Sequence, residues 1–463
     1  MNNYADTIAA ISTPPGKGGV AIIRISGTDA LRIGAEIFKP VSKKSFEDAA
    51  PRMQIRGSIF LDGEEIDDGM ATYFKSPASY TGEDTVEIAC HGGLLVTKLV
   101  LESALRAGAR AAEAGEFTRR ALINGKLSLT AAEAISSLLE AESIDKIRLS
   151  SRRSRDLLGE SIEEIRAALT SLMSSIYARI DYPDEDLGDF TDAEALAELK
   201  RIRELCEALK ATYKTGRAVS EGIDTVICGK PNVGKSSVYN LLLGREAAIV
   251  TSIEGTTRDV LSDRIPLGRV LLNLSDTAGI RRSTSDPIEE IGIDRSKERI
   301  AESELILAVF DLSRPLDSED EALIEELSRA KGARIAILNK SDLEPKFDKT
   351  SLKDSFDETV EISAREDKAS SLRALTEQID RLFTDGSIQI GEEAIISSAR
   401  QNASLSRAID HIDSAIGAYE LGLMQDVASS DVERALGAIA ELDGRAVSEE
   451  IVNDIFSKFC VGK

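Results

Sequence analysis

Apolar positions fall into alternating textures along the chain. From residue 1 to 120, short apolar runs such as Val20-Ala21-Ile22-Ile23 and Thr85-Val86-Glu87-Ile88 alternate with turns rich in glycine and proline. One helical stretch lies near Leu94–Ala107. This is the pattern of a small α/β domain. After Asn124-Gly125-Lys126, the residues Leu158, Ile162, Ile165, Leu169, Leu172 and Ile176 recur at spacings of four and three and predict one apolar helix face. Leu196, Leu199, Ile202, Leu205 and Leu209 continue in the same way. Gly216 and Gly222 then interrupt, and short β-rich runs begin at Thr225-Val226-Ile227-Cys228 and persist to about residue 385. Helical spacing returns in Leu405, Ile409, Ile412, Ile416, Tyr419 and Leu423, and again in Val447, Ile451 and Ile455.

The pattern predicts a first α/β domain over 1–120 and an all-α domain made of two sequence-distant halves, 121–217 and 386–463. A second α/β unit over 218–385 is inserted between those halves. The apolar stripes need no reading beyond core packing, and they would make a rigid frame on which the insert can move.

At 463 residues the chain is long enough for two to four domains. Its 42% hydrophobic and 30% charged residues exclude a disordered chain. No run approaches the roughly 18 apolar residues of a membrane span. Met1-Asn2-Asn3-Tyr4-Ala5-Asp6 lacks a basic segment followed by an apolar one, so no secretion signal and a cytoplasmic location are expected. Cys90, Cys206, Cys228 and Cys460 form no CxxC pair and are expected as free thiols. The net charge of −23 repels phosphate backbones, so any RNA must meet a local basic patch or a partner protein.

Chemistry enters with Gly229-Lys230-Pro231-Asn232-Val233-Gly234-Lys235-Ser236, which fits GxxxxGK[ST] directly after a predicted strand and before a helical run that opens with Ser237. Glycines there let backbone N–H groups point into a phosphate-sized nest, Lys235 offers charge to the β- and γ-phosphates, and the Ser236 hydroxyl suits Mg²⁺. Further motifs follow in order. Gly255-Thr256-Thr257-Arg258-Asp259 is preceded by Thr251, Ser252, Ile253 and Glu254; Asp276-Thr277-Ala278-Gly279 closes one strand, Asn339-Lys340-Ser341-Asp342 a second, and Ser363-Ala364-Arg365 a third. Together they resemble the five nucleotide motifs of GTP-binding proteins. Thr257 can offer its hydroxyl to Mg²⁺ and the γ-phosphate, and Asp276 can reach that ion through water. Asp342 can accept two hydrogen bonds from the N1–H and N2–H₂ donors of guanine, which adenine does not present. Ser363 and Ala364 would back this contact at the guanine carbonyl. Ile280 stands where Ras-like enzymes place a glutamine and cannot orient water. The candidate for that task is Glu289, with Glu290 its neighbouring competitor.

Over nearly its whole length, from Asp6 to Lys463, the chain resembles the MnmE/TrmE family of tRNA-modification GTPases. The stretches that carry the resemblance include Asp6-Thr7-Ile8-Ala9-Ala10-Ile11, Pro14-Pro15-Gly16, Arg24-Ile25-Ser26-Gly27 and Tyr80-Thr81-Gly82-Glu83-Asp84. Gly115-Glu116-Phe117-Thr118-Arg119-Arg120-Ala121, Asn124-Gly125-Lys126-Leu127 and the final Phe459-Cys460-Val461-Gly462-Lys463 complete the set. Ala114 and Val461 depart from the family pattern, which usually has proline and isoleucine or leucine there, and neither touches the chemistry.

The resemblance implies an N-terminal folate-binding and dimerising domain, a helical domain interrupted by a P-loop GTPase domain, and a homodimer. By motif position, Arg24, Glu87, Lys126 and Lys463 would contact a 5-formyl- or methylene-tetrahydrofolate; arginine and lysine suit its carboxylates, and a carboxylate suits the pterin amide and amine. K⁺ would be held by Asn232, Thr251, Ile253 and Thr256 in the place an arginine finger takes elsewhere, and Arg258 is read as a structural or surface arginine. Cys460 is open to two readings, a catalytic thiol near Lys458 or a buried thiol. The implied activity is GTP hydrolysis coupled, in a heterotetramer with the FAD-bearing partner MnmG, to addition of an aminomethyl-type group at C5 of the wobble uridine of tRNA, with no membrane involved. The rival class, a regulatory or ribosome-assembly GTPase switch, would carry an appended basic RNA-binding domain, and no basic tail follows Ser363. A mere dimerisation scaffold would leave five nucleotide motifs idle.

Overall fold

A computed structural model of the chain describes residues 6–42, 45–181, 191–244, 263–274, 299–346, 348–352, 354–422, 425–445, 452, 455–457, 459 and 462. It divides into two compact units, Met1–Ser136 with Asp443–Lys463, and Ser137–Leu442.

The first unit is built on a seven-stranded sheet. Its strands are β1 (Ile8–Ile11), β2 (Gly18–Ser26), β3 (Phe38–Pro40), β4 (Gln54–Leu61), β5 (Glu64–Phe74), β6 (Thr85–Gly92) and β7 (Arg110–Ala111), in the order β3-β4-β5-β6-β2-β1-β7. Pairing is antiparallel except for β7 on β1. Strand alternation decides which face is core. Ala21, Ile23 and Ile25 of β2 and Val86, Ile88 and Cys90 of β6 are buried, and Arg24 and Glu87 between them point the other way. Helix α1 (Ala30–Ile37) packs on the apolar face with Ala30, Ile33, Gly34 and Ile37, the i, i+3, i+4, i+7 stripe of an amphipathic helix. Helix α2 (Leu94–Arg106) adds Val100 and Ala104 to that core. Each such large aliphatic side chain contributes about 1.5–3 kcal/mol by burial.

Helices α3 (Glu116–Ile123) and α4 (Leu129–Leu139) follow the sheet. The chain end returns to them: Phe456 and Phe459 are buried with Leu129 and Ala132. Residues 443–463, expected to finish a helical domain, fall in this compact unit, and Ile455 of the predicted stripe borders the cluster of Leu129 and Ala132. Gly462 lies on β1, where the Ser12 hydroxyl donates to its carbonyl at 3.0 Å. At φ 100° it is left-handed, and a Cβ there would collide with the Ile11 carbonyl, so only glycine fits.

Four of the sequence stretches that carried the family resemblance meet around one buried cation. Arg120, fully buried, donates to Asp6 Oδ1 at 2.8 Å, the Asp6 carbonyl at 2.9 Å, Glu116 Oε1 at 3.0 Å and Glu83 Oε2 at 3.3 Å. Arg110 bonds the same Glu116 at 2.6 Å, and the Ser26 hydroxyl bonds Glu83 at 2.8 Å. Burial alone would raise the carboxyls of Asp6 and Glu116, but hydrogen bonds from Arg110 and Arg120 outweigh it and hold both below their ordinary values. Glu116→Ala would strand Arg120 as a buried charge short of a partner. It is expected to destabilise the chain by about 3–5 kcal/mol, read as a lower urea midpoint for this unit at pH 7. Because a depressed carboxyl stabilises only while ionised, the gap between parent and variant should narrow as pH falls below about 4. An unchanged midpoint at pH 7 would remove this network from the account of stability.

The second unit holds a helical core and a second sheet. Before them comes α5 (Ile144–Leu149). Helices α6 (Arg152–Asp181) and α7 (Asp192–Ala211) bury Leu158, Ile162, Ile165, Leu169, Leu172 and Ile176 against Leu199, Ile202, Cys206 and Leu209. Leu196 and Leu205 lie at the margin. A capping box of Thr191 and Glu194 starts α7, satisfying donors that a helix end leaves open. Helix α8 (Tyr213–Ser220) leads into the sheet of β8 (Ile223–Cys228), β9 (Asp263–Leu267), β10 (Val270–Leu274), β11 (Leu305–Asp311), β12 (Ala333–Asn339) and β13 (Glu358–Ile362). Its order is β13-β12-β11-β8-β10-β9, parallel except for β9 on β10. Every residue of β11 is buried, as expected of a central parallel strand covered on both faces. Helices α9 (Lys235–Leu243) and α11 (Lys368–Phe383) cover one face, and α10 (Ser318–Ser328) the other.

The chain returns to the helical core through α12 (Ala399–Glu420), capped by Ser398 and Gln401, and α13 (Gln425–Asp443). Leu405, Ile409, Ile412 and Ile416 are buried as their spacing predicts, with Tyr419 at the margin; Leu423, Val447 and Ile451 lie outside the described residues. The two crossings between helices and sheet run side by side. Thr212 accepts from the Ile396 amide at 3.1 Å and Thr215 from the Asp385 amide at 2.9 Å.

Candidate functional site

The loop between β8 and α9 is shaped by backbone conformation. Gly229 and Gly234 are left-handed at φ 139° and 106°, and so is Asn232 at 68°. A Cβ on Gly234 would collide with the side-chain amide of Asn339, so this glycine is what lets the loop approach β12. Gly234 also opens α9, whose first turn carries Lys235, Ser236 and Ser237, half-buried, at the positive end of the helix dipole. The Lys235 ammonium reaches back along the loop, donating to the carbonyls of Gly229 at 2.6 Å and Lys230 at 2.8 Å. Val233 is buried in the sheet core, so it can serve a ligand only through its backbone. Asn232 is exposed at the loop's tip.

The ends of β12 and β13 meet this loop. The Asn339 amide donates to the Val233 carbonyl at 3.0 Å, and its oxygen accepts from the Ala364 amide at 3.2 Å, so one buried side chain ties three sequence motifs together. Lys340, left-handed at φ 69°, sends its ammonium to the Asn232 carbonyl at 3.2 Å and to Asp311 Oδ2 at 2.6 Å. The Ser363 hydroxyl donates to Asp342 Oδ1 at 2.6 Å, which fixes the orientation of that exposed carboxylate. Ser363 and Ala364 are buried; Ser341 and Arg365 are exposed. In this arrangement the Ser363 hydroxyl holds Asp342, the candidate base-reading residue, and the Ala364 amide holds Asn339. Thr251, Ser252, Ile253, Glu254, Gly255, Thr256, Thr257, Asp276, Thr277, Ala278, Gly279, Ile280, Glu289 and Glu290 lie outside the described residues.

A second constellation sits in the first unit. Arg24 and Glu87 are register partners across β2 and β6 and form an ion pair at 2.8 Å. The Arg24 guanidinium lies 5.3 Å from the centre of the Tyr80 ring and 5.5 Å from that of Phe117, a cation held between aromatic faces. Tyr80 is in turn held by Thr118 at 2.8 Å. Lys126 is exposed, and its stem packs over Gly82. Lys463 is outside the described residues, but Gly462 beside it docks at Ile11 and Ser12, next along β1 from Ala10, the register partner of Arg24.

Among the cysteines, burial pushes the Cys90 thiol up to about 11 and those of Cys206 and Cys228 to about 12, so all three are protonated at neutral pH. They are free, as expected, and Cys460 lies outside the described residues. Sequence reading missed Asp311, whose only signal is an acidic residue ending an apolar strand. Glu116 and Arg120 lie in one of the stretches that carry the resemblance, and the only sequence sign of their pairing is a spacing of four on one helix.

Residues 7–126 match the family described as GTP-binding protein TrmE N-terminus, and residues 129–460 that described as MnmE helical domain. The chain is 40% identical over 462 residues to the tRNA modification GTPase MnmE of Thermotoga maritima, covering 99% of this chain and 100% of that one. It is 39% identical over 461 residues to that of Thermoanaerobacter pseudethanolicus, covering 99% of each. It is likewise 39% identical over 459 residues to that of Lactococcus lactis subsp. lactis, covering 99% of this chain and 98% of that one. With two family models matched and end-to-end likeness to these relatives, the chain belongs to the MnmE family of tRNA modification GTPases.

Proposed function

We propose that the chain is a potassium-dependent GTPase acting in tRNA modification, with residues 218–385 as the nucleotide-hydrolysing domain inserted between helical segments 121–217 and 386–463. The observation that carries this reading is the joining of the 229–236 loop to the 339–342 and 363–365 motifs by Asn339, with Lys340 adding a second tie to the loop. A left-handed loop opening a helix suits a diphosphate, and a fixed carboxylate at Asp342 suits guanine. Ser236 presents a hard hydroxyl oxygen in the first turn of α9, which fits Mg²⁺ together with Thr257. Asn232 at the loop tip offers an amide oxygen, which fits K⁺ together with Thr251, Ile253 and Thr256. Bound there, the two cations would offset charge developing on the transferred phosphoryl group. Glu289 orients the attacking water.

The aromatic-flanked Arg24–Glu87 pair fits a flat, amide-bearing ring, and Lys126 and Lys463 suit an anionic tail; this is the reading of a 5-formyl- or methylene-tetrahydrofolate site. The substrate is the wobble uridine of tRNA, modified at C5 by a homodimer of this chain in a heterotetramer with FAD-bearing MnmG. No helix among the described residues is long and apolar enough to cross a membrane. The partner carries most of the RNA contact, consistent with a net charge of −23.

The test is GTP hydrolysis at equal ionic strength in KCl and in NaCl. The rate is expected to be at least on the order of tenfold higher in KCl, a small part of what an arginine finger supplies, and Asn232→Ala should erase the difference. Equal rates in the two salts for the parent protein would overturn the potassium reading.

A further inference from the structure

Four described residues other than glycine have left-handed backbone: Arg52, Asp62, Asn232 and Lys340. Two of them are joined by one hydrogen bond, from the Lys340 ammonium to the Asn232 carbonyl at 3.2 Å. Asparagine tolerates that conformation, whereas lysine is seldom found in it, and such backbone persists only where its surroundings over-determine it. Here the determinant is Asp311. It ends β11 opposite Asn339 in the parallel register, its side chain is 5% exposed, and its Oδ2 accepts from Lys340 at 2.6 Å. Its other oxygen is fixed by the Ser313 amide at 3.0 Å and hydroxyl at 2.6 Å. The exposed Arg314 also reaches Oδ2, at 3.1 Å.

The chain of contacts runs in one direction. A carboxylate locked in the sheet holds a lysine, and the lysine holds the carbonyl at the turning point of the loop. We propose that Asp311 is a positioning residue for nucleotide binding, acting through Lys340 to keep the left-handed turn at Asn232 in the geometry that grips the diphosphate end of the ligand. The inference rests on the nucleotide reading of that loop. It separates Asp311 from the residues that touch nucleotide, because Asp311 faces Lys340 and Ser313 within the sheet end.

The test is the dissociation rate of methylanthraniloyl-GDP, measured by stopped-flow displacement with excess GDP, from the full chain in magnesium buffer. Asp311→Asn keeps an acceptor for Ser313 but removes the charge that holds Lys340; Lys340→Met keeps the stem and removes the ammonium. Each is expected to speed dissociation about tenfold, the size of one charge-assisted hydrogen bond. The double variant should be no faster than the faster single, since both changes break one linkage. Arg314→Ala, which removes an exposed arginine and leaves Lys340 on the same carboxylate oxygen, should change the rate by less than about twofold. Should Asp311→Asn not fold, Lys340→Met must still show the full effect. Additive effects in the double variant, an unchanged rate in either single variant, or an equal acceleration by Arg314→Ala would overturn the inference. A parent protein that fails to bind the probe overturns the nucleotide reading and this inference with it. A parent that binds, with Asp311→Asn unchanged, overturns this inference alone.

Discussion

Asp342→Asn is expected to weaken GTP binding by on the order of 10²-fold or more and to move preference toward xanthosine triphosphate. Ser363 donates to Asp342 Oδ1 at 2.6 Å, so an asparagine in the same rotamer keeps an oxygen for that bond. Its second terminal atom then changes from an acceptor to a donor. Guanine's N2–H₂ then faces a donor, and the carbonyl that xanthine carries at C2 gains a partner, while N1–H, common to both bases, can still be accepted by the retained oxygen. A site that leaves a buried donor facing a donor discriminates far more strongly than one that loses a contact to water. Competition between the two nucleotides for one fluorescent analogue reads the switch, and an unchanged preference would remove Asp342 from base recognition.

The second large effect concerns chemistry rather than binding. Glu289→Ala is expected to slow single-turnover GTP hydrolysis by on the order of 10²-fold to 10⁴-fold, the value of a group that places the attacking water in line. It follows from Ile280, whose side chain has no hydrogen-bonding group where a glutamine would otherwise stand. GTP affinity should change little, because the role proposed for Glu289 is on the water and not on the nucleotide. Glu290→Ala should be mild. If the two variants exchange behaviour, the assignment is displaced by one residue; if neither slows hydrolysis, another group holds the water.

Local patterns carried the parts of this fold that depend on neighbours in sequence. The strand Ile223–Cys228 and helix Lys235–Leu243 flank the 229–234 loop because an apolar run, two glycines and a second apolar run leave few alternatives. The stripe from Leu158 to Ile176 was legible for the same reason, since one helix face must be apolar to bury. Helix Gln425–Asp443 was not, as its buried face of Val432, Ala435, Ala438, Ile439 and Leu442 has alanines at two of its five positions. Contacts between distant residues left no such trace. Nothing periodic announces that Ser12 bonds Gly462, 450 positions away, that Arg24 would find Glu87, or that Asp311 would hold Lys340. The candidate nucleotide site was therefore readable as a set of motifs, while the ties among those motifs come from strand register, which only the assembled sheet supplies.

The return of Phe456 and Phe459 to Leu129 has a consequence in the ribosome's time rather than in space. A chain made from its N-terminus exposes the seat for these two rings after about 132 residues, and the rings come only after the intervening second unit, Ser137–Leu442, has been made. At about 5–20 residues per second that interval lasts roughly 15–60 s, long against the folding of a domain. During it Leu129 and Ala132 lack the aromatic half of their core, and the second unit can reach its own folded state first. Synthesis order thus leaves the apolar cluster at Leu129 and Ala132 to be completed last, after the second unit has been made.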